Sequence, residues 1–448
     1  MMQLFLLAIS ILGLASSSSS PKKEVLVLGG NGFMGVYTVI ALAFSDRYAV
    51  TIANRNTTYF DSLERLASAN ITSLHWDRRS EPIEDASEVV AFFEDHPHIH
   101  AIVDFSCYSG DSARNVATFL IKEEVRVGLY VYVSSDSIYE VCSAKRDLEK
   151  PTTEDVDDHR PSGPRSQAEC NAADTYGHGK LEAEEVLREL QPVSTWDYIF
   201  LRIPDVVGPR DTSNRWWFYQ ILIDLQIWIH VPIPYVREDR DGREMSLVYV
   251  KDVARAIVSL ISGHDGAFLH RWGANVSDRA LTVRNVAINV ADHRARTFVQ
   301  IMEDIAKALA TSRSSQWPTS SSSTMPSPLV FALNSTTDFP SVKRGPISTT
   351  RARTLLGWEP TPWDEVVLET VEFFQSRILW KDARYAKELQ GVLQMVCQQV
   401  AKYIDERTFR DLLLKVYGLN ASEMTLTCAG CASDVIVDEE PWSSQIEL

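Results

Sequence analysis

The stretch "KEVLVLGGNGFMGVYTVIALAF", residues 23–44, constrains the fold more than any other part of the chain. It reads as an unbroken apolar run, a glycine-rich turn, and then apolar residues at helical spacing. A continuous apolar strand has no face to show to water, so both of its faces must be covered. Similar runs recur at "YAVTIANR", "HAIVDFSC", "LYVYVSS" and "DYIFLRIP", separated by helix-like stretches at 86–94 and 113–123. Strands alternating with helices predict right-handed crossovers, and hence an α/β fold with a doubly wound parallel sheet.

Beyond residue 210 the alternation loosens. A helix-like "WWFYQILIDL" and a proline-rich "HVPIPYV" follow the last clear strand, and 297–310 reads as a helix. Serine-rich residues 312–328 read as a low-complexity loop. "STTRARTLLGWEPTPWDEVVLETVEFF" then predicts helix, turn and helix. The expected organisation is a leader over 1–20 and a main domain over 22–375. The substrate-binding part falls mostly in 210–245 and 267–350, and a helical C-terminal extension covers 376–448, irregular from Asn420.

In the leader, an apolar run from Leu4 to Leu14 is followed by small residues. It is short for a bilayer span and fits a signal peptide cleaved near residue 15. A mature protein of the secretory pathway, luminal or secreted and without a transmembrane span, is expected; a membrane anchor is the alternative. Sequons at Asn56, Asn70, Asn275, Asn334 and Asn420 agree with that route. The net charge of −16 over 448 residues argues against a broad basic face for nucleic acid. The six cysteines would meet an oxidising compartment. Cys428 and Cys431 form "CAGC", but no histidine follows His293 and only Cys397 lies near, so no metal site is expected. A local disulfide or two free thiols is the expected state of that pair.

"GGNGFMG" places Gly29, Gly32 and Gly35 directly after the first strand, with Phe33 and Met34 opening the helix. Glycine lets the backbone turn tightly and approach a pyrophosphate, which the free helix N–H groups then hold. This predicts a dinucleotide site. The second strand ends in Asn54 and Arg55 with no carboxylate for the ribose hydroxyls, which favours NADP over NAD. Asp77, after a third strand, would reach an adenine amino group, and Ser106 ends the fourth. Asn56 lies beside the expected adenosine end, so of the five sequons it is the one least expected to carry a glycan.

"YGHGK" sets Tyr176 and Lys180 four residues apart, on one face of a helix that two glycines would weaken. By spacing alone the pair is two ordinary side chains. Together with "GGNGFMG", Asp77, "VSSDSIY", "LRIPDVVGPRD", "LVYVKDVARAI" and "LLGWEP", in that order over residues 24–376, it resembles the extended short-chain dehydrogenase/reductase family, in its epimerase/dehydratase-like branch. "GPRDTSNRWWFY" looks most like the atypical members. Similarity to chloroplast stem-loop-binding proteins is weaker, because those generally lack the Tyr-x-x-x-Lys pair.

The resemblance implies a Rossmann fold and an NAD(P)-dependent oxidoreductase or epimerase acting by hydride transfer on a small, sugar-like substrate. It assigns Ser135, Tyr176 and Lys180 as catalytic: the serine hydrogen-bonds the substrate oxygen, the tyrosine is the acid/base, and the lysine binds the nicotinamide ribose. A nearby ammonium is expected to lower the phenol pKa. Ile203 completes the cofactor set. Asp136 takes the position of a sugar-dehydratase acid, but Ser137 replaces the glutamate that follows it, and a solvated loop aspartate is the preferred reading. Asp205 and Met245 replace two diphosphate partners of the sugar-nucleotide enzymes, so sugar nucleotides are expected to bind poorly unless Arg243, Lys343 or Arg344 compensates. The alternatives are a catalytically silent dinucleotide- or RNA-binding protein and a Golgi nucleotide-sugar enzyme. A homodimer is compatible with either.

Overall fold

The computed structural model describes residues 21–142, 150–155, 157–226, 228–229, 231–235, 242–264, 283–316, 329–333, 344–379, 383–419 and 426. The leader, the 428/431 cysteine pair and the sequons Asn275, Asn334 and Asn420 lie outside them. Seven parallel strands form the central sheet. In chain order they are β1 (Lys23–Leu28), β2 (Tyr48–Asn54), β3 (Thr72–His75), β4 (His98–Asp104), β5 (Arg126–Ser135), β6 (Asp197–Ile203) and an edge strand, Val286–Asn289. Their spatial order is β3-β2-β1-β4-β5-β6 followed by the edge strand, with β1 and β4 adjacent. The winding reverses between those two strands, and there the crevice at their carboxyl ends opens for a ligand.

Helices cover both faces, as the apolar strands require. The helices are α1 (Phe33–Ala43), α2 (Ser62–Ser68), α3 (Ser87–Asp95), α4 (Gly110–Lys122), α5 (Pro164–Ala173), α6 (Thr175–Leu190) and α7 (Arg215–Leu225), then α8 (Val250–His264), α9 (Phe298–Gln316), α10 (Thr350–Leu356), α11 (Trp363–Leu379), α12 (Ala386–Val400) and α13 (Glu406–Tyr417). On one face α1 packs on α8, and on the other α4 packs on α6. Helix α9 runs to Gln316, past the expected start of the serine-rich loop, because Ala308, Leu309 and Ser312 keep a buried face beyond Lys307.

A second core lies beside the sheet. Trp217, Ile221 and Leu225 of α7, Phe298 and Ile305 of α9 and Phe374 of α11 pack with Val392 and Val396 of α12 and Phe409 and Leu413 of α13. The helices after Leu379 therefore share this second core with α7, α9 and α11. In α12 Cys397 is disulfide-bonded, whereas Cys107, Cys142 and Cys170 carry free thiols. Among the described residues no helix is long and apolar enough to cross a membrane.

Candidate active site

The turn after β1 is built by close backbone packing. Gly29 has φ +80°, where a side chain would be strained, and a Cβ on Gly35 would lie 2.5 Å from the Gly29 carbonyl oxygen. Helix α1 therefore starts hard against the strand. Gly32 caps it without a side-chain acceptor, and its first turn holds no acidic residue. Its leading N–H groups face the crevice with no carboxylate of their own, which suits a bound pyrophosphate.

This turn forms one wall of a cavity of about 620 Å³ at the carboxyl edge of the sheet. Gly29, Gly32, Phe33, Met34, Gly35, Asn54, Arg55, Asp77, Ser106, Ser135, Tyr176, Lys180, Ile203 and Asp205 all line it. Asp136, Arg243 and Arg344 do not belong to the wall. Arg344 instead holds the turn after Ser135: its backbone N–H donates to Glu140 (2.6 Å) and its guanidinium to the Cys142 carbonyl (2.8 Å). Asp136, preferred above as a solvated loop residue, is 4% exposed. It begins a 3₁₀ turn, Asp136–Val141, under the end of β5. Burial, then the carboxylates of Asp205 and Glu140, hold its carboxyl well above the ordinary aspartate range.

The two glycines of "YGHGK" have a structural reason that spacing did not reveal. A Cβ on Gly177 would stand 2.2 Å from the Ser137 carbonyl oxygen, and one on Gly179 would stand 2.1 Å from that of Tyr108. Helix α6 runs unbroken for 16 residues because glycine lets it lie directly on these backbones. The Asp174 side chain caps it through the Gly177 N–H (2.8 Å). Close approach brings Tyr176 and Lys180 to Ser135 at the end of β5.

Lys180 is buried and donates to the Val133 carbonyl (3.0 Å), among the rings of Tyr108, Tyr132 and Tyr176 at 4.8, 5.0 and 5.7 Å. Burial lowers its pKa to about 8. The Tyr176 ring stays 46% exposed at the mouth, while its hydroxyl end is hydrogen-bonded with buried Ser135. Desolvation and the Tyr108 phenol hold the Tyr176 hydroxyl above its ordinary value, and the Ser135 bond pulls it back in part. The expected lowering by the lysine is not met. The ammonium is bonded to the Val133 carbonyl and stands off the ring, so desolvation wins.

Sequence reasoning missed the buried ion pairs behind this site. Arg78, beside Asp77, donates to both carboxylate oxygens of Asp104 (2.7 and 2.9 Å) and to Ser106 (3.1 Å). It thereby ties the loop after β3 to the end of β4. Glu184, one turn after Lys180, accepts from Ser134 (2.6 Å) and from Arg202 of β6 (2.6 and 3.0 Å), which locks α6 to β5 and β6. Helical spacing from Lys180 could have flagged Glu184; nothing in the sequence pairs Arg78 with Asp104. Elsewhere on the cavity wall Asp205 is paired with Arg215 (2.6 Å), and buried Asp211 accepts from the Ser213 N–H and hydroxyl (both 2.8 Å). Asn56 and Asn70 are both exposed, and the Asn56 amide meets His75 (3.0 Å).

The model of the NAD dependent epimerase/dehydratase family matches residues 25–268, more than half of the chain, and the protein belongs to that family. A UDP-glucose 4-epimerase of Neisseria gonorrhoeae is 26% identical over 208 residues, 42% of this chain and 55% of that protein. The chain thus spans about half the length of this curated relative. Among solved structures, dTDP-glucose 4,6-dehydratase from Bacillus anthracis in complex with NAD superposes with a TM-score of 0.55 at 16% identity, over 82% of this chain and 99% of that one. The UDP-glucose 4-epimerase from Thermotoga maritima with UDP-glucose gives 0.54 at 18%, over 79% and 99%. These likenesses establish the same sheet and helix arrangement.

Proposed function

We propose that the protein is an NAD(P)-dependent oxidoreductase or epimerase acting at a secondary alcohol or carbonyl of a sugar-like substrate. The observation that carries this reading is convergence: Ser135, Tyr176 and Lys180 line the same cavity as the glycine turn after β1. A bound nicotinamide dinucleotide would supply the hydride acceptor or donor. Ser135 hydrogen-bonds the substrate oxygen; Tyr176, neutral at pH 7, donates its proton to that oxygen as hydride reaches the carbonyl carbon, and the phenolate left behind takes the alcohol proton in the reverse direction. Lys180 would offer its ammonium to the ribose of a bound dinucleotide, and the uncapped first turn of α1 would hold its pyrophosphate.

NADP is favoured over NAD. Arg55 lines the cavity directly after β2, Arg79 lines it nearby, and residues 53–55 hold no carboxylate. Sugar nucleotides are named for the relatives, but poor binding is proposed here. Asp205 and Asp211 both line the cavity, and Arg215, bonded to Asp205, sets one positive charge beside two carboxylates. A secretory-pathway location is supported by the disulfide at Cys397.

Titration calorimetry tests the reading, first with NADP(H) and NAD(H), then with UDP-, GDP- and dTDP-sugars on the cofactor complex. Tighter NADP(H) binding and sugar-nucleotide affinities weaker than micromolar are expected. Absence of binding by either dinucleotide would reject the site, and equal or tighter NAD(H) binding would reject the preference.

A further inference from the structure

The structure assigns a role to the C-terminal helices that the catalytic residues do not reveal: they brace the loop forming the adenosine-side wall of the cavity. The inference rests on the dinucleotide reading above. The loop follows β2 and reaches α2, and its Arg55, Thr57 and Tyr59 line the cavity. It has no strand partner to set its course. Asn31 of the glycine turn donates to the Thr57 carbonyl (2.6 Å), which anchors one end.

The other end is held from far along the chain. Phe60 has φ +48°, a conformation a phenylalanine adopts only where its surroundings impose it. Its buried ring sits among Trp217 of α7, Phe373 and Phe374 of α11, and Tyr385, at centroid distances of 6.4, 6.2, 6.4 and 5.7 Å. Its backbone N–H donates to the Glu388 carboxylate of α12 (3.1 Å) across 328 residues. The next residue, Asp61, takes two bonds from Arg210 (2.5 and 2.6 Å), and Arg384 reaches Glu64 (2.6 Å). The Glu388 carboxylate and the Tyr385 ring from the C-terminal helices, closing a cage begun by Trp217 of α7 and Phe373 and Phe374 of α11, thus fix a loop with little regular structure of its own. Glu388 and Phe60 are positioning residues: they touch no reacting atom, and they set where Thr57 and Tyr59 stand.

The test uses the full chain with Glu388→Ala, Glu388→Gln and Phe60→Leu. Hydrogen exchange is read over residues 55–62, and calorimetry measures affinity for the whole dinucleotide, for its adenosine half (2′,5′-ADP and AMP) and for nicotinamide mononucleotide. Loss of the bond to Glu388 should speed exchange in 55–62 and weaken the dinucleotide and its adenosine half by about tenfold, with the mononucleotide unchanged. Glu388→Gln keeps an acceptor and should restore both. Parental exchange over 55–62 in Glu388→Ala and Phe60→Leu overturns the inference, as does faster exchange with unaltered affinity for the adenosine half. A loss shared equally by the mononucleotide overturns it too, since a general loosening would do that. If the parent binds no dinucleotide, the functional reading fails instead, and exchange alone decides whether the brace exists.

Discussion

Lys180 stands at the balance between stability and activity in this site. In the unfolded chain its ammonium keeps its proton to about pH 10.5, whereas burial brings it to about 8 in the folded protein. Between those values the unfolded state binds more protons, so this group's contribution to stability rises with pH from 8 to 10.5. Below pH 8 the buried charge costs stability, offset in part by the Val133 carbonyl and three aromatic rings. Lys180→Met should therefore stabilise the protein at pH 7, by on the order of 1–3 kcal/mol. It should also weaken the dinucleotide, and the decline in affinity expected of the parent above pH 8, where Lys180 loses its proton, should disappear in the variant. Thermal melts and titrations at pH 7 and 9 read both effects; destabilisation at pH 7 would mean that packing of the stem outweighs the buried charge. Tyr176→Phe separates the proton from the scaffold. The ring remains, the Ser135 partner goes, and turnover should fall at least a hundredfold with cofactor affinity within a factor of about two. Full activity on an identified substrate would remove the tyrosine from the mechanism.

Helix α6 shows how far sequence can carry such a site. The order of strands and helices was legible because every sheet strand from β1 to β6, apart from short β3, is largely apolar and buried along most of its length. The glycine turn was legible because its spacing follows a strand and opens a helix. What "YGHGK" concealed is that its glycines are contact surfaces. Read as helix propensity, Gly177 and Gly179 weaken α6; in the fold they allow it to touch Ser137 and Tyr108. The burial of Asp136 was equally hidden, since one aspartate after a strand looks the same whether it faces water or the underside of a turn. A testable sign reversal follows. In an exposed helix Gly→Ala stabilises by about 1 kcal/mol. Here Gly177→Ala should destabilise by roughly 1–3 kcal/mol and push Tyr176 away from Ser135, because the obstructing atom is a backbone carbonyl. Chemical denaturation reads the stability, and activity should fall further than stability alone explains. A more stable Gly177→Ala protein would show that the helix shifts at little cost.

Among the described residues the core beside the sheet meets the sheet's own packing at α1 and α8, which give Tyr37, Val250 and Ala254 to the one and Val36, Val39, Val253 and Ile257 to the other, and the helices after Leu379 belong to the core beside the sheet. Val392, Leu393, Val396, Val400, Phe409 and Leu413 are fully buried there. At roughly 1.5–3 kcal/mol for each large apolar side chain, their burial is comparable to the whole stability of a domain, about 5–15 kcal/mol. The entropy of ordering α12 and α13 opposes that gain and disappears with the helices when they are removed. What the remainder loses is cover. Trp217 and Phe374 stack at 4.9 Å beneath these helices, and Gln220 and Asp224 of α7 are buried beside them, with Asp224 accepting from the Tyr417 hydroxyl (2.6 Å). A chain ending at Leu379 would present this aromatic face, and a buried carboxylate stripped of its phenol, to water. It should therefore bind a hydrophobic dye, show red-shifted tryptophan emission and melt at least 10 °C below the parent, with the sheet strands still protected from hydrogen exchange. The direction follows from where the cover is lost: the sheet packs against α1, α4, α6 and α8, none of which is removed. A truncated chain with parental emission and parental melting would mean that the lobe closes over its own aromatic residues and that the C-terminal helices only rest on a finished surface.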